Sequence, residues 1–340
     1  MKRVTVRRAS SILTAALVAL AAPWLSALPA SAGQDHGSSH PSRHLRGYAA
    51  LGDSYSSGEG SGRYQAGTDT DTNRCHRSSR AYGPLLRSNN PRLKPLSFVA
   101  CSGALTHDLY AANHQYAGEG PQLAALTKRT KAVSLTIGGN DAGFVDSVKA
   151  CLQLGPTGGF GCSQSAPLNA AINARIAGLA GLASVPDGQG NLITPISTVL
   201  ADIHQRAPQA KIYLAGYPDL FGSEASTFSA DPSAPSGSSC VLNAAVGARI
   251  DYADVQWFNA NTQKLNAVFQ SAVQQARTSG IRATYVSPST FNGHGLCDAK
   301  TSWIQPLLLT ADGTLSPESL HPTPAGQRRG YARAFHRAGL

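Results

Sequence analysis

None of the six cysteines in this 340-residue chain stands at C-x-x-C spacing, which argues against a zinc knuckle or a thioredoxin-like redox site. The glycine-rich stretch Gly58-Glu59-Gly60-Ser61-Gly62 has neither the G-x-G-x-x-G spacing of a dinucleotide fold nor a P-loop lysine, so a nucleotide-binding protein is disfavoured. Charged residues make up 14% of the chain and aromatics 7%, with a single Met. The low aromatic content leaves no visible stacking platform for sugars. After the first thirty or so residues there is no apolar run of about 20 residues, the length a membrane-spanning helix needs.

What is present begins with an address. Met1–Ala32 reads as a secretory signal peptide: Lys2, Arg3, Arg7 and Arg8 at the start, an apolar run from Ile12 to Leu28, and Ala30-Ser31-Ala32 as a small-residue cleavage site. Pro23 and Pro29 interrupt the run and speak against an anchor. Arg7-Arg8 suggests the twin-arginine route, but the residues after it match that signal poorly. The expected location is extracellular. The net charge is +10; removing four positive and no negative residues leaves +6. That balance suits attraction to anionic lipid and gives no support for nucleic acid as a partner.

Cys75, Cys101, Cys151, Cys162, Cys240 and Cys297 all lie beyond the signal. An even count in an exported chain points to disulfides. Six cysteines allow fifteen pairings, of which the sequential one (75–101, 151–162, 240–297) is the simplest expectation. Gly33 to Leu45 is polar and histidine-rich and reads as a disordered leader. Residues 46–340 then read as a single domain.

Tyr48-Ala49-Ala50-Leu51 is a short apolar run that stops at Gly52, placing Ser54 where a strand gives way to a loop. Further strands are expected at Ser97–Ala100, Val133–Ile137, Lys211–Ala215 and Ile281–Val286. Helices are expected at Arg80–Arg87, Pro121–Arg129, Leu168–Leu182, Ile196–Gln205, Val255–Arg277 and Pro324–Ala338. Such alternation argues for a parallel sheet covered on both faces. Ser56–Ser79 reads as a long surface loop, and Ser223–Ser239 as another.

In a parallel sheet the carboxyl ends of the strands share one edge, where ligands bind. Three of those ends carry residues suited to one reaction. Ser54 offers a nucleophilic hydroxyl, Gly103 an unobstructed backbone N–H, and Asn140 an amide N–H₂. A serine also needs a base. His321, in a loop held by Pro322 and Pro324, is the best placed of the ten histidines. His107 and His294 are lesser candidates, while His76, His114, His204 and His336 are read as surface residues. Asp53 is expected to cap the turn. Trp303 and Ile304 either line an acyl site or simply pack. The cluster Arg328, Arg329, Arg333 and Arg337 reads as a solvated helix face.

Gly52-Asp53-Ser54-Tyr55, Gly103, Gly139-Asn140-Asp141 and Ser319-Leu320-His321-Pro322-Thr323 together resemble the four blocks of the SGNH, or GDSL-type, hydrolases, in the right order. The similarity is to the secreted actinomycete lipases and esterases. It implies a flavodoxin-like three-layer α/β/α sandwich with a central parallel sheet of about five strands. It also implies hydrolysis of carboxylic esters through an acyl-enzyme, without cofactor or metal. By that resemblance Ser54 is the nucleophile, His321 the base, and Ser54 N–H, Gly103 N–H and Asn140 the oxyanion donors. The family commonly has Asp three residues before the histidine; here that position is Glu318. Either its carboxylate or the main-chain carbonyl of Ser319 is left to orient His321. The expected substrate is a lipid or acyl ester, with phospholipase or thioesterase action included, met by a monomer that touches a lipid interface transiently. A carbohydrate acetyl esterase is the alternative, and a non-catalytic secreted α/β protein the alternative of another class.

Overall fold

The computed structural model describes residues 47–151, 161–222 and 224–340. The signal peptide and the leader expected before Leu45 lie outside the described residues. The described residues fall in one compact unit.

Strand β1 (Gly47–Ala50) is buried along nearly its whole length, as the centre of a parallel sheet requires. It pairs in parallel with β2 (Leu96–Phe98) on one side and β3 (Thr130–Leu135) on the other. The sheet is completed by β6 (Lys211–Ala215), which pairs in parallel with β3, and β10 (Ala283–Val286), which pairs in parallel with β6. The order across the five strands is β2-β1-β3-β6-β10. That is the doubly wound flavodoxin-like order, with its switch point between β1 and β3. Helices cover both faces. The expected layered fold is therefore present.

Helix α2 (Tyr82–Asn89) packs against the C-terminal helix. Helices α4 (Ala166–Ala180), α5 (Ile196–Arg206) and α6 (Tyr252–Thr278) pack on one another. The Asp251 carboxylate caps α6 by accepting from Ala253 N–H. Along that helix Val255, Phe258, Thr262, Leu265 and Phe269 recur every three or four residues and are buried. The C-terminal helix winds as a π-helix over Gly326–Ala332 before the α-helical Arg333–Arg337 (α7). A Cβ at Gly330 would come within 2.3 Å of the Phe291 ring, so only glycine allows the helix to lie that close.

Several sequence expectations need correction. Ser223–Ser239 is not a plain loop: its C-terminal part enters an antiparallel sheet of β7 (Ser229–Ala230), β8 (Ser238–Asn243) and β9 (Ala248–Asp251). Strand β7 is only two exposed residues and β8 opens on Ser238-Ser239, so this segment shows no alternation of apolar and polar residues. A two-stranded hairpin of β4 (Val185–Pro186) and β5 (Leu192–Ile193) and a helix α3 (Phe144–Cys151) were also not foreseen. Pro121–Arg129 contains only a 3₁₀ turn, Gln122–Ala125. The stretch Ser56–Ser79 is a surface loop only in its middle, where Arg63, residues 65–67 and 69–72, and Arg74 are exposed; at its two ends Ser56, Ser57, Glu59, Ser61, His76 and Ser78 are buried.

The disulfides are Cys75–Cys101, Cys151–Cys162 and Cys240–Cys297, the sequential set. No helix among the described residues is long and apolar enough to cross a membrane.

Candidate active site

Ser54 opens a one-turn helix, α1 (Ser54–Ser57), which follows the end of β1 after Leu51, Gly52 and Asp53. Asp53 is its N-cap and accepts from Tyr55 N–H at 3.0 Å, which is the turn-capping role expected of it. The same carboxylate accepts from the hydroxyl of Thr136 at 2.7 Å and from that of Tyr217. Burial outweighs these bonds and pushes the Asp53 carboxyl up to about 6. Gly52 stands at φ +118, where a Cβ would meet the Thr136 carbonyl oxygen at 2.2 Å. Glycine is required for the chain to turn from the strand into Ser54. The Gln122 amide clamps this turn from both sides, accepting from Gly52 N–H at 2.6 Å and donating to Gly52 O at 2.9 Å.

His321 Nε2 lies 2.8 Å from Ser54 Oγ, and its Nδ1 lies 3.0 Å from the carbonyl oxygen of Ser319. Nδ1 facing a carbonyl means that Nδ1 carries the proton, leaving Nε2 to accept from the serine. Burial pushes the His321 pKa down; the charge of Glu59 and the Ser319 carbonyl offset this only in part. The imidazole is therefore neutral at neutral pH and able to accept a proton. Among the described residues, Glu318 does not hydrogen-bond the ring of His321; its carboxylate accepts instead from the Tyr64 hydroxyl at 2.6 Å. The two candidate orienters are thus placed differently, with the carbonyl on the imidazole and the carboxylate on a tyrosine.

The loop that carries His321 is stitched to the loop that follows Ser54. Tyr55 donates its hydroxyl to Leu320 O at 3.1 Å, Ser61 donates to Pro322 O at 3.1 Å, and Gln305 donates to Gly60 O at 2.6 Å. Leu320 itself sits at φ +62, a conformation that a leucine adopts only when its surroundings impose it.

Gly103 and Asn140 line the same cleft as Ser54 and His321. As the first residue of α1, Ser54 has no intrahelical acceptor for its N–H. Gly103, at φ +80, follows β2. Asn140 Nδ2 donates one hydrogen to Ala104 O at 2.9 Å, which fixes the amide and leaves its other hydrogen for a ligand. Asp141 links these two loops: its carboxylate accepts from Thr106 N–H at 3.0 Å and from the Thr106 hydroxyl. Burial pushes Asp141 up to about 7.

The chain between residues 50 and 329 matches the model of the GDSL-like Lipase/Acylhydrolase family. The chain belongs to this family. It is a carboxylic ester hydrolase. Over 291 residues it is 31% identical to a lipase of Streptomyces rimosus, covering 86% of each chain. Over 285 residues it is 30% identical to Lipase 1 of Streptomyces coelicolor, covering 84% of each. Among solved structures it resembles phospholipase A1 of Streptomyces albidoflavus NA297, with a TM-score of 0.60 and 28% identity over 87% of this chain and 100% of that one. The extracellular lipase of S. rimosus aligns with a TM-score of 0.57 at 28% identity, over 86% of this chain and 99% of that one.

In this GDSL-like hydrolase the cleft measures about 560 Å³. Leu105, Phe144, Val148, Leu220, Phe258 and Leu315 supply apolar wall. Trp303 and Ile304 do not line it; they are buried, and Trp303 stacks on His294 with centroids 3.6 Å apart. The packing reading holds for both. His294 is occupied by that stack and by Thr301 O, 2.7 Å from its Nδ1. Arg328, Arg329, Arg333 and Arg337 are exposed. No group of three or more His, Cys, Asp or Glu suited to a metal occurs among the described residues.

His76 and His114 were expected at the surface, and neither is free there. His114 Nδ1 lies 2.7 Å from Asp108. His76 is buried with Nδ1 2.7 Å from Oε2 of Glu59, a carboxylate with no solvent exposure that also lines the cleft. Sequence reading passed over Glu59 because it sits among glycines and serines with no partner in view. The signal available was an acidic residue five positions after the nucleophile, in a stretch otherwise free of charge.

Proposed function

We propose that the chain is a secreted serine hydrolase that cleaves lipid and other acyl esters through an acyl-enzyme on Ser54, as a single hydrolase domain over residues 46–340. The observation that carries this reading is the 2.8 Å contact between His321 Nε2 and Ser54 Oγ at the foot of an apolar cleft. Ser54 attacks the ester carbonyl carbon as Nε2 takes its proton, and the Ser319 carbonyl holds the resulting imidazolium by its Nδ1–H. The tetrahedral oxyanion is met by the N–H groups of Ser54 and Gly103 and by Asn140 Nδ2. His321 then protonates the leaving alcohol, and water repeats the cycle to release the acid.

The substrate class rests on the cleft and on the relatives. A volume of about 560 Å³ with apolar walls is far more than an acetyl group fills, which favours longer acyl chains over sugar acetates. The names of the relatives, lipase and phospholipase A1, point the same way. Export is supported by three disulfides and by the extracellular lipase among the structural relatives.

The test is labelling of the purified enzyme with a fluorophosphonate probe, followed by hydrolysis of p-nitrophenyl esters of rising chain length. Labelling that vanishes in Ser54→Ala, with kcat/KM rising beyond acetate, is the expected result. Labelling that persists in Ser54→Ala removes the nucleophile assignment. Activity confined to acetate returns the acetyl-esterase reading.

A further inference from the structure

The hydrolytic reading leaves one buried charged group without a task. Glu59 is fully buried beside the base. Its Oε2 is 2.7 Å from His76 Nδ1, and its Oε1 is 3.4 Å from the Tyr64 hydroxyl. The segment it belongs to is packed on the base: a Cβ at the next residue, Gly60, would stand 3.0 Å from His321 Cβ and 3.2 Å from the Glu318 carbonyl oxygen. Gly60 O accepts from Gln305, whose own N–H donates to His321 O at 2.8 Å. Glu59, His76 and His321 all line the one cleft.

We propose that Glu59, paired with His76, is the positioning carboxylate of His321: its buried negative charge stabilises the imidazolium formed when Ser54 gives up its proton. This rests on the serine-hydrolase reading and assigns to Glu59 the electrostatic role that an acid three residues before the histidine plays in the family pattern. A carboxylate that touches no substrate can do this because charge–charge attraction needs no contact, and Glu59 is itself buried away from solvent. The Ser319 carbonyl supplies orientation, and Glu59 supplies charge.

The surroundings fit that division. Burial alone would push Glu59 towards the neutral acid, yet the bond from His76 and the charges of His321 and His76 hold it below the usual glutamate range. Burial likewise lowers His76, but Glu59 and Asp69 outweigh it and leave His76 raised. The second His76 nitrogen, Nε2, is 3.3 Å from Asp69, and the Tyr64 ring stacks on the imidazole at 4.4 Å. The groups that face His321 are Glu59, Glu318, the Ser54 hydroxyl and the Tyr55 ring. Those that face Glu59 are His76, Tyr64, Ser102 and His321, with Arg74 further along the cleft wall. Glu318 also adds negative charge near His321, so the two acids must be tested side by side.

The experiment follows the His321 ring directly, by NMR of the full chain carrying ¹⁵N-histidine and Ser54→Ala, through a pH titration. Glu59→Gln should lower the His321 pKa, and with Ser54 restored it should cut kcat roughly tenfold to a hundredfold while KM stays within about twofold. Glu59→Asp keeps the charge and should recover most of kcat, whereas Glu318→Gln should move the ring much less than Glu59→Gln. The chain with Glu59 intact provides a reading that does not depend on the variant folding: the His321 ring should show a second inflection below pH 4.5 as Glu59 takes up a proton. An unmoved His321 titration in Glu59→Gln, or the absence of that second inflection, overturns the proposal. Fluorophosphonate labelling of the wild type separates the two levels. If Ser54 labels normally while Glu59→Gln behaves as wild type, only the role of Glu59 fails; if Ser54 does not label, the hydrolytic reading itself fails.

Discussion

Tyr64 donates its hydroxyl to Oε1 of Glu318 at 2.6 Å, so the acid nearest to His321 in sequence is committed to the loop that follows the nucleophile. With the Ser319 carbonyl on Nδ1, Glu318→Ala should keep kcat within about fivefold of wild type. Removal of an acid that orients the imidazole costs about 10⁴-fold. A loss of that size in a steady-state assay would restore Glu318 as the orienter.

The depressed pKa of His321 sets the acid side of the rate profile. The base works only when neutral, so kcat/KM should fall as pH drops through the His321 pKa, and its half-maximum should lie below pH 6.5. A half-maximum above 6.5 on a soluble p-nitrophenyl ester would contradict the effect of burial on this group.

Tyr217 joins two of the loops around the site. Its hydroxyl donates to Asp53 and accepts from Gly139 N–H at 3.0 Å, beside Asn140. Tyr217→Phe leaves a buried carboxylate and a buried N–H short of a partner, each at a cost of about 1–3 kcal/mol. Chemical denaturation should show a loss of that order, together with a lower kcat because Asn140 is less firmly held.

Cys75–Cys101 connects the residue preceding His76 to the residues just before Gly103, with a sequence separation of 26. Closing a loop of that length is worth roughly 3–4 kcal/mol in the chain-entropy picture. The double variant Cys75→Ala/Cys101→Ala should lose stability of that order in urea and lose kcat as well, since both flanks of the cleft are released. Loss of the other bridges should reduce stability with a smaller effect on kcat. Equal kcat effects from all of the bridges would show that this one has no special relation to the site.

The Glu59–His76 pair gives stability its own pH window. His76 is raised above 6.5, so its contribution is present below that value and is lost as pH climbs through the folded-state pKa. Glu59 is lowered, so its contribution is present above the usual glutamate value of 4.5 and is lost as pH falls through its folded-state pKa. The stability difference between wild type and His76→Asn should be largest between about pH 4.5 and 6.5. A difference that grows steadily towards alkaline pH would contradict the assigned charges.

What could be read from the chain was whatever a local pattern carries. Tyr48–Leu51 is an apolar run and Val133–Ile137 an alternation of apolar residues with Ser134 and Thr136; each is ended by glycine, and their ends lead to Ser54 and Asn140. His321 stood out through its flanking prolines. Contacts made across large separations had no local mark. Gln122 clamps Gly52 from 70 residues away, and Tyr217 reaches Asp53 across 164. The stretch around Glu59 looked like a solvated loop because serine and glycine suit a turn and a tightly hydrogen-bonded interior equally well. Only the fold shows that Ser56, Glu59 and Ser61 are inside. The β8–β9 pairing had a weak mark for another reason: Cys240, Leu242, Ala248 and Ile250 form its buried face, but the strands are short and the 3₁₀ turn Ala244–Val246 separates them.

Ser54 and His321, the proposed nucleophile and base, are separated by 267 residues, and the His321 loop is tied to the Ser54 turn through Tyr55, Ser61 and Gln305. A growing or partly folded chain therefore has a serine but nothing to activate it, and nothing to hold the turn that presents it. Turnover requires both of these loops to be in place at once. An assay of turnover reads complete assembly of the chain more sensitively than any measure of its helix content.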